Sequence, residues 1–356
     1  MYGKVGICWL NLNRKCNLKC SWCYAKNADD QEVSINDAYR IIDFLADAKV
    51  SHLTLIGGEP TVYRDLDKVL YYAHEKNINV GIVTNGVRLS EKKYLEHLIE
   101  CGLKDVGLSL KGYNQLSFKN TTGVDSYSDA LLGIKNLKDL NVPFSVSFVI
   151  SKDDIKHVSA GIRDARMHGA ESFNFGFCAN FEACRTDNIS IENPFILAKE
   201  FEKYYSDIDS ASNGKFVLHQ TLPLCVWSKE IIDTLVAKHQ IRSSCQLLKK
   251  NGLIFGTDLS VIPCNSMYDY RIGKFGQDFS DAKTFSEFWN SERVIKFYSK
   301  LTALPDIECA TCKGWTLCGG GCVANWFNYN FEVLKEQKSK LNLLNTSYVD
   351  YLDTKC

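Results

Sequence analysis

The chain has 356 residues, which is enough for about two domains with buried cores. Its 42 basic and 42 acidic residues give a formal net charge of zero, which favours neither nucleic acid nor an anionic membrane surface as a partner. Residues 1–5 lead directly into a strand-like segment without a signal peptide, and no apolar run is long enough to span a bilayer, so we expect a cytoplasmic protein.

Short β-like runs alternate with longer amphipathic segments in the first half of the chain. The predicted strands are Val5–Leu12, Leu53–Ile56, Asn79–Val83, Asp105–Leu110, Phe144–Ile150 and Ser172–Phe177. The predicted helices lie near residues 35–49, 65–77, 91–101, 128–140, 154–168 and 194–208. Six such repeats with short loops predict an α/β fold, a partial (β/α)6 TIM-like barrel whose strand-to-helix loops gather at one rim.

The second half of the chain is expected to differ from the first. After about residue 215 the alternation is expected to end, with a strand-like piece at Lys215–His219 and a helical stretch near 228–240. From Cys245 onward glycine and cysteine are frequent, so we expect little buried apolar surface and a dependence on metal ligation for folding. The predicted domains are a barrel over 1–215, a bridging segment over 216–244 and a small cysteine-rich domain over 245–356.

Fifteen cysteines are many for a chain without a signal peptide, and their odd number argues against a fully paired disulfide framework. In a reducing compartment, clustered cysteines indicate metal ligands rather than disulfides. Cys16, Cys20 and Cys23 follow the first predicted strand with the spacing CxxxCxxC. Three thiolates on one loop can bind three irons of a [4Fe–4S] cluster and leave the fourth iron open for a reacting molecule. A zinc site or chance spacing is the alternative for this motif alone, because zinc also binds closely spaced cysteines.

This motif, with the aromatic Trp22 before its third cysteine, resembles that of the radical S-adenosylmethionine (radical SAM) superfamily. The resemblance implies that the open iron binds the amino and carboxylate groups of SAM. Gly57-Gly58-Glu59-Pro60 ends the second predicted strand and is similar to the superfamily motif that holds the SAM amino group, since a carboxylate can accept hydrogen bonds from an ammonium. On its own, the same tetrapeptide could be an ordinary strand-to-helix turn.

Two further segments resemble recurrent features of the superfamily. Thr84-Asn85-Gly86 follows the third predicted strand, and Asn85 is expected to contribute to SAM binding. Ser109 stands where many relatives place a serine that binds the SAM ribose. Relatives often have Ser-Leu-Asp-Gly at this point, so Lys111 departs from the pattern, and the ordinary interpretation is a solvated lysine at the end of a strand.

Four cysteines near the C-terminus have the spacing CxxCxxxxxCxxxC, two precede them, and one ends the chain. The set resembles the SPASM extension of radical SAM enzymes that modify peptides and proteins, and so implies an iron–sulfur domain with two auxiliary [4Fe–4S] clusters. By this resemblance the outer cluster has the ligands Cys309, Cys312, Cys318 and Cys356. The inner cluster has the ligands Cys245, Cys264 and Cys322, with Cys225 as the candidate for a fourth. Otherwise that iron is open, and zinc could physically occupy such sites.

Three positions bear on the SPASM resemblance. The glycines Gly319–Gly321, directly before Cys322, would let the backbone fold tightly around a cluster. Leu259 stands where the family usually has a glycine. Asn265 follows Cys264 at the position where anaerobic sulfatase-maturing enzymes carry a catalytic aspartate, and an amide cannot act as a carboxylate base.

The resemblance implies a radical SAM oxidoreductase that cleaves SAM reductively to a 5′-deoxyadenosyl radical and then abstracts a hydrogen atom. The expected substrate is a ribosomally synthesised peptide or protein, changed by cross-linking, oxidation or epimerisation. The expected electron donor is flavodoxin or ferredoxin. Only 15 residues precede Cys16, so leader recognition is expected from the barrel surface or from a separate leader-binding protein. The alternatives are a radical SAM dehydrogenase or oxidase that acts on a small molecule, and a non-catalytic iron–sulfur or zinc protein.

Overall fold

The computed structural model describes residues 5, 7–23, 31–177, 194–219, 222–242, 245–268, 270–301, 309 and 315–323. Its strands are β1 (Ile7–Asn11), β2 (His52–Ile56), β3 (Asn79–Thr84), β4 (Leu103–Ser109), β5 (Phe144–Ile150), β6 (Phe173–Phe177), β7 (Phe216–His219), β8 (Ile241–Arg242), β9 (Gly252–Phe255), β10 (Ser260–Ile262) and β11 (Gly273–Lys274). Its α-helices are α1 (Ile35–Asp47), α2 (Leu66–Glu75), α3 (Lys92–Glu100), α4 (Gln115–Thr122), α5 (Tyr127–Asp139), α6 (Val158–Met167), α7 (Pro194–Ser212), α8 (Lys229–Ala237), α9 (Ala282–Trp289), α10 (Glu292–Leu301) and α11 (Trp315–Cys318). Within these ranges, no helix combines the length and the apolar character needed to cross a bilayer.

The described strands form one sheet with the order β11-β10-β9-β1-β2-β3-β4-β5-β6-β7-β8. Every neighbouring pair from β9 to β8 is parallel, while β10 and β11 extend the β9 edge in antiparallel pairs. From β1 to β8, strands that follow one another in the chain lie side by side, because the helices between them return the chain to the start of the next strand. The predicted α/β fold with a large parallel sheet is confirmed.

Local sequence signals explain where the helices begin and which face they bury. Ser34 caps α1, since its hydroxyl accepts a hydrogen bond from the backbone N–H of Asp37 at 3.1 Å. The buried residues of α2 recur with the helical period and are Leu66, Val69, Leu70 and Ala73. The sequence-based prediction misses α4, which begins with a reciprocal cap between Asn114 and Ser117.

The alternation of strands and helices continues beyond residue 215. The strand predicted at 215–219 and the helix predicted near 228–240 are both present. However, β7 pairs in parallel with β6, and β8 pairs in parallel with β7, so the expectation that the alternation ends here is wrong. The two strands have only 4 and 2 residues, which is too short for a recognisable pattern of period two.

The region from β9 to α9 buries a large apolar surface, so the expectation of little buried surface after Cys245 is also wrong. β9 lies beside β1 in the sheet. The ring centroid of Phe44 in α1 lies 5.3 to 6.3 Å from those of Phe255, Phe275, Phe279 and Phe285. Burial of one such ring stabilises a fold by about 1.5–3 kcal/mol. These rings come from separate elements, so no single periodic segment of the sequence indicates them.

The two faces of β1 have different surroundings. Leu10 and Leu12 are fully buried in the main core. Trp9, on the opposite face, packs against a small cluster made of Ile254, Ile262 and Tyr268. Because alternate residues of a strand point to opposite faces, Asn11 lies on the face of Trp9. The carboxyl ends of β1 to β4 lie together at one edge of the sheet, and this is the edge where the sequence predicts the functional rim.

Candidate active site

A cavity of about 230 Å³ lies at the carboxyl ends of β1 to β4, and we call it the rim cavity. Nine residues predicted from the sequence line it, namely Cys16, Cys20, Trp22, Cys23, Gly57, Gly58, Glu59, Asn85 and Ser109. The other lining residues are Trp9, Leu18, Ile56, Val83, Thr84, Lys111 and Asn265. Pro60 is not among them, since it is buried at the start of a short 3₁₀ turn directly after Glu59. Motifs that are up to 93 residues apart in the sequence (from Cys16 to Ser109) therefore meet in one place.

The cysteine loop, residues 14–23, is held by backbone hydrogen bonds to the end of α4. The N–H of Lys19 donates to the carbonyl oxygen of Thr122 at 2.8 Å, and the N–H of Ser21 donates to that of Thr121 at 2.9 Å. The helix that the sequence analysis misses is thus one of the supports of this loop.

The three thiols of the cysteine loop all line the rim cavity. Although Cys16 as a residue is exposed, burial of its thiol in the site raises the pKa to about 12, and a hydrogen bond from the N–H of Leu18 to its sulfur (3.3 Å) acts in the opposite direction. Within the described ranges, no three His, Cys, Asp or Glu side chains are arranged around a single ion. A [4Fe–4S] cluster instead takes one sulfur on each of three irons, so three thiols along one cavity wall fit such a cluster.

Gly57 and Gly58 allow residues 13–15, where the cysteine loop begins, to pack tightly against the end of β2. The N–H of Gly58 donates to the carbonyl oxygen of Asn13 at 2.9 Å, and the N–H of Glu59 donates to that of Lys15 at 2.8 Å. A Cβ atom at Gly57 would lie 2.5 Å from the Asn13 oxygen, and one at Gly58 would collide with the Lys15 oxygen. These glycines are therefore required by backbone packing between two site loops.

Glu59 is 1% exposed, and its carboxylate already accepts four hydrogen bonds from the protein. Oε1 accepts from the Thr61 N–H (3.1 Å), the Thr61 hydroxyl (2.7 Å) and the Thr84 hydroxyl (2.6 Å). Oε2 accepts from the N–H of Asn85 at 2.7 Å. The carboxylate thus ties the end of β2 to the end of β3, and contact with the SAM amino group stays a prediction.

Asn85 connects the end of β3 to the cysteine loop. Its Nδ2 donates to Oδ1 of Asn17 at 2.7 Å and lies 3.9 Å from the sulfur of Cys16. Its Oδ1 accepts from the N–H of Val87 at 3.1 Å, which sets the orientation of the amide. Asn85 therefore positions the loop that carries the thiols.

Ser109 and Lys111 bring the end of β4 into the rim cavity. The Nζ of Lys111 donates to the hydroxyl oxygen of Ser109 at 2.6 Å and lies 4.8 Å from the centroid of the Trp22 ring. Lys111 is half-buried, so the interpretation as a solvated lysine at a strand end is wrong. Its position depends on Trp22, which is 89 residues away in the sequence and shares no local pattern with it.

The C-terminal half contributes Asn265 to the rim cavity. Nδ2 of Asn11 donates to Oδ1 of Asn265 at 3.3 Å and to the carbonyl oxygen of Phe255 at 2.8 Å. Asn265 therefore faces the site as an amide. Trp9 is a lining residue that sequence reasoning missed, and its place on the same strand face as Asn11 is the signal that could have revealed it.

Among the described residues, the cysteines of the C-terminal half do not line the rim cavity. Burial raises the pKa of Cys264, and the charge of Cys245 acts in the same direction. The N–H of Leu224 donates to the sulfur of Cys318 at 3.2 Å, which brings the segment of Cys225 beside a predicted ligand of the outer cluster. Cys309 and Cys322 are half-buried, while Cys312 and Cys356 lie outside the described residues. Both ligand sets stay predictions.

Two segments of the C-terminal half that the sequence singles out have left-handed backbone conformations. Gly319, Gly320 and Gly321 have φ angles of 55°, 72° and 77°, so three consecutive residues adopt the left-handed conformation that glycine favours. Leu259 has a φ of 67°. It therefore keeps the conformation that a glycine would adopt at this position, at a steric cost for its side chain.

The comparison with protein families identifies the N-terminal half. Residues 10–161 match the radical SAM superfamily, and this span contains the cysteine loop, Gly57, Gly58 and Ser109. Residues 10–161 form a radical SAM domain. Proteins of this superfamily use a [4Fe–4S] cluster and SAM, and the donor set at the rim cavity fits that cluster.

The curated relatives of this chain differ in the kind of molecule that their names mention. The chain is 33% identical over 160 residues to the Fe-coproporphyrin III synthase of Methanosarcina barkeri. The matched region is 44% of this chain and 40% of that protein. It is 24% identical over 251 residues to the AdoMet-dependent heme synthase of the same organism (69% and 66%). It is 28% identical over 173 residues to the sporulation killing factor maturation protein SkfB of Bacillus subtilis (48% and 42%). The chain spans less than two thirds of the length of each of these relatives.

Two solved structures show the same fold. The structure of SuiB of Streptococcus suis, bound to precursor peptide SuiA, has a TM-score of 0.68 at 17% identity. The match covers 92% of this chain and 74% of the SuiB chain. The enzyme anSMEcpe, with bound AdoMet and the Kp18Cys peptide, has a TM-score of 0.66 at 18% identity, with coverages of 94% and 99%.

Proposed function

We propose that this chain is a radical SAM enzyme whose cluster is held by Cys16, Cys20 and Cys23. The observation that supports this best is that these three thiols share one cavity with Glu59 and Ser109. The five residues come from the ends of three different strands, and chemistry in folds of this kind gathers at the carboxyl ends of parallel strands.

The roles of the protein side chains in this proposal are to position and to shield. Glu59 joins the ends of β2 and β3, and Asn85 binds Asn17 of the cysteine loop. These hydrogen bonds fix the position of the thiols relative to Gly57 and Gly58 at the end of β2. Trp9 and Trp22 line the cavity and would exclude water from it. When bound, the cluster and SAM would supply the electron transfer and the hydrogen-abstracting radical, while the protein orients the reacting groups.

A ribosomally synthesised peptide or a protein is the proposed substrate, modified by cross-linking, oxidation or epimerisation. The similarity to SkfB, a maturation protein by name, supports this class of substrate. The fold is also that of SuiB and anSMEcpe, whose structures contain bound peptides. A small-molecule substrate is the second candidate, because a heme synthase and a coproporphyrin synthase are also relatives.

The remaining parts of the proposal concern the C-terminal half and the partners. We propose that residues 245–356 form a SPASM domain with two auxiliary [4Fe–4S] clusters. Segment 216–244, which adds β7 and β8 to the sheet, would join it to a barrel over 1–215. Cys245 and Cys264 are both half-buried thiols, which supports their assignment as ligands of an enclosed cluster. Flavodoxin or ferredoxin is the proposed electron donor, and a separate protein could bind a leader peptide.

Formation of 5′-deoxyadenosine tests the proposed function. Anaerobically reconstituted protein, mixed with SAM and dithionite, should form 5′-deoxyadenosine that chromatography with mass detection can quantify. A variant with Cys16, Cys20 and Cys23 all changed to alanine should form none and should keep its auxiliary iron. The control is Cys101→Ala, a half-buried thiol at the end of α3. If the wild-type protein with a full iron content forms no 5′-deoxyadenosine, the chain is a non-catalytic iron–sulfur protein, whereas a protein that takes up zinc and no iron is a zinc protein.

Substrate class is tested with the same reduced protein. We would compare a short peptide encoded beside the gene with Fe-coproporphyrin III, and measure the mass change of each. Modification of the peptide alone supports the first candidate, and modification of the porphyrin alone supports the second.

A further inference from the structure

Lys111 brings a positive charge into the rim cavity, and the proposed roles above do not use it. It lies two residues beyond Ser109, the last residue of β4, and both line the cavity. The Lys111 ammonium is held by its hydrogen bond to the Ser109 hydroxyl (2.6 Å) and by the face of Trp22 (4.8 Å to the ring centroid). The charge is thereby kept beside the cysteine loop instead of extending into solvent.

Within the described part of the chain, this charge has no counter-ion. The carboxylate that lines the cavity belongs to Glu59, and its oxygens already accept four hydrogen bonds from Thr61, Thr84 and Asn85. Lys111 takes part in none of the ion pairs formed among the described residues. A lysine ammonium has three N–H donors, and Ser109 accepts one of them.

We propose that Lys111 binds a carboxylate of the molecule that enters the rim cavity, either the carboxylate of SAM or one on the substrate. This inference rests on the proposed function. A half-buried ammonium has lost part of its hydration, so it gains more from an anion than a fully solvated one does. An acidic residue at this position would repel the same group, so Lys111 sets the kind of ligand that the cavity favours.

The first arm of the test asks whether the carboxylate belongs to SAM. Unreduced, anaerobically reconstituted protein is titrated in a calorimeter with SAM and with decarboxylated SAM. If the cofactor supplies the carboxylate, Lys111→Gln should bind SAM about ten- to a hundredfold more weakly than wild type, the range expected for loss of a charge-assisted hydrogen bond, and should bind decarboxylated SAM equally well. Lys111→Arg should keep most of the affinity for SAM, because it keeps the charge.

The second arm asks whether the carboxylate belongs to the substrate, with glutarate as the probe. Glutarate should then bind to SAM-loaded wild type and Lys111→Arg but not to Lys111→Gln, while all three proteins bind SAM equally. The matched control is Lys104→Gln, an exposed lysine on the same strand, β4. Circular dichroism verifies folding, and Lys111→Met is a second neutral variant should Lys111→Gln not fold.

The proposal is overturned if the neutral variants match wild type with SAM and with glutarate. In that case, normal SAM binding by the wild-type protein would leave the proposed function intact. A wild-type protein that binds no SAM would contradict both.

Discussion

The rim cavity and the aromatic layer between α1 and the C-terminal half are held together by different forces. We define the aromatic layer as the rings of Phe44, Phe255, Phe275, Phe279 and Phe285. The rim cavity depends on directional hydrogen bonds, of which the buried carboxylate of Glu59 alone accepts four. Such bonds set the positions of groups, whereas burial of apolar rings is non-directional and contributes most of the stability. Stability and site geometry should therefore respond to different substitutions.

The two regions meet at β1, which pairs with β2 on one side and β9 on the other. Asn11 is the side chain that links them, since its Nδ2 donates to Phe255 in β9 and to Asn265 at the rim cavity. A change in one region could reach the other through this residue, so the experiments below read out stability, SAM affinity or iron content according to the region that is changed.

The largest expected effect is on stability, from Phe279→Ala. Phe279 is 3% exposed, and its ring contacts those of Phe44 and Phe288. Removing a buried phenylalanine ring leaves a cavity and should lower the free energy of unfolding by about 3–5 kcal/mol. Urea denaturation measures this change, and the iron bound by the folded protein should stay the same. The control is Ile295→Ala, at a side chain 52% exposed on α10. An effect no larger than that of the control would show that the aromatic layer does not stabilise the fold.

Glu59→Gln should have the next largest effect, on stability and on cofactor binding together. An amide cannot accept all four hydrogen bonds, so the free energy of unfolding without SAM should fall by about 1.5–3 kcal/mol, the range for a hydrogen bond to a charged group. SAM affinity should also fall, because the ends of β2 and β3 lose their connection. The control is Glu75→Gln, an exposed residue at the end of α2. Reduced SAM affinity with unchanged stability would mean instead that the principal partner of Glu59 is SAM.

A smaller effect is expected from Gly58→Ala, which acts on the cysteine loop. The new Cβ would collide with the Lys15 backbone, and such overpacking costs about 1–3 kcal/mol unless the loop shifts. Either response should reduce the iron retained after desalting under anaerobic conditions. Gly176→Ala in β6 is a matched control, since a Cβ there meets nothing within 4 Å. If both variants retain iron equally, the close packing of residues 57–58 against the loop is not needed for cluster binding.

Much of the fold and part of the candidate site could be predicted from the sequence. The strands near 53–56, 79–83 and 144–150 were predicted within a residue of their bounds, because each is a short apolar run between turn signals. Nine of the residues expected to bind cofactors line one cavity, because each motif stands at or just after the end of a predicted strand and parallel strands end at the same rim. The helix α4 and the strands β7 and β8 were missed or misjudged, since α4 has only 8 residues and the strands still fewer.

The sequence by itself determined the alternation of strands and helices, the radical SAM motifs and the order in which they reach the rim. These properties depend on residues close together in the chain, where periodicity and spacing carry the information. Only the tertiary structure decided that Lys111 lies over Trp22, that Glu59 accepts hydrogen bonds from Thr84 and Asn85 at the end of β3, and that the aromatic rings of the C-terminal half pack against α1. The physical reason is that a side chain far along the chain supplies each partner, and only packing of the whole sheet sets those distances.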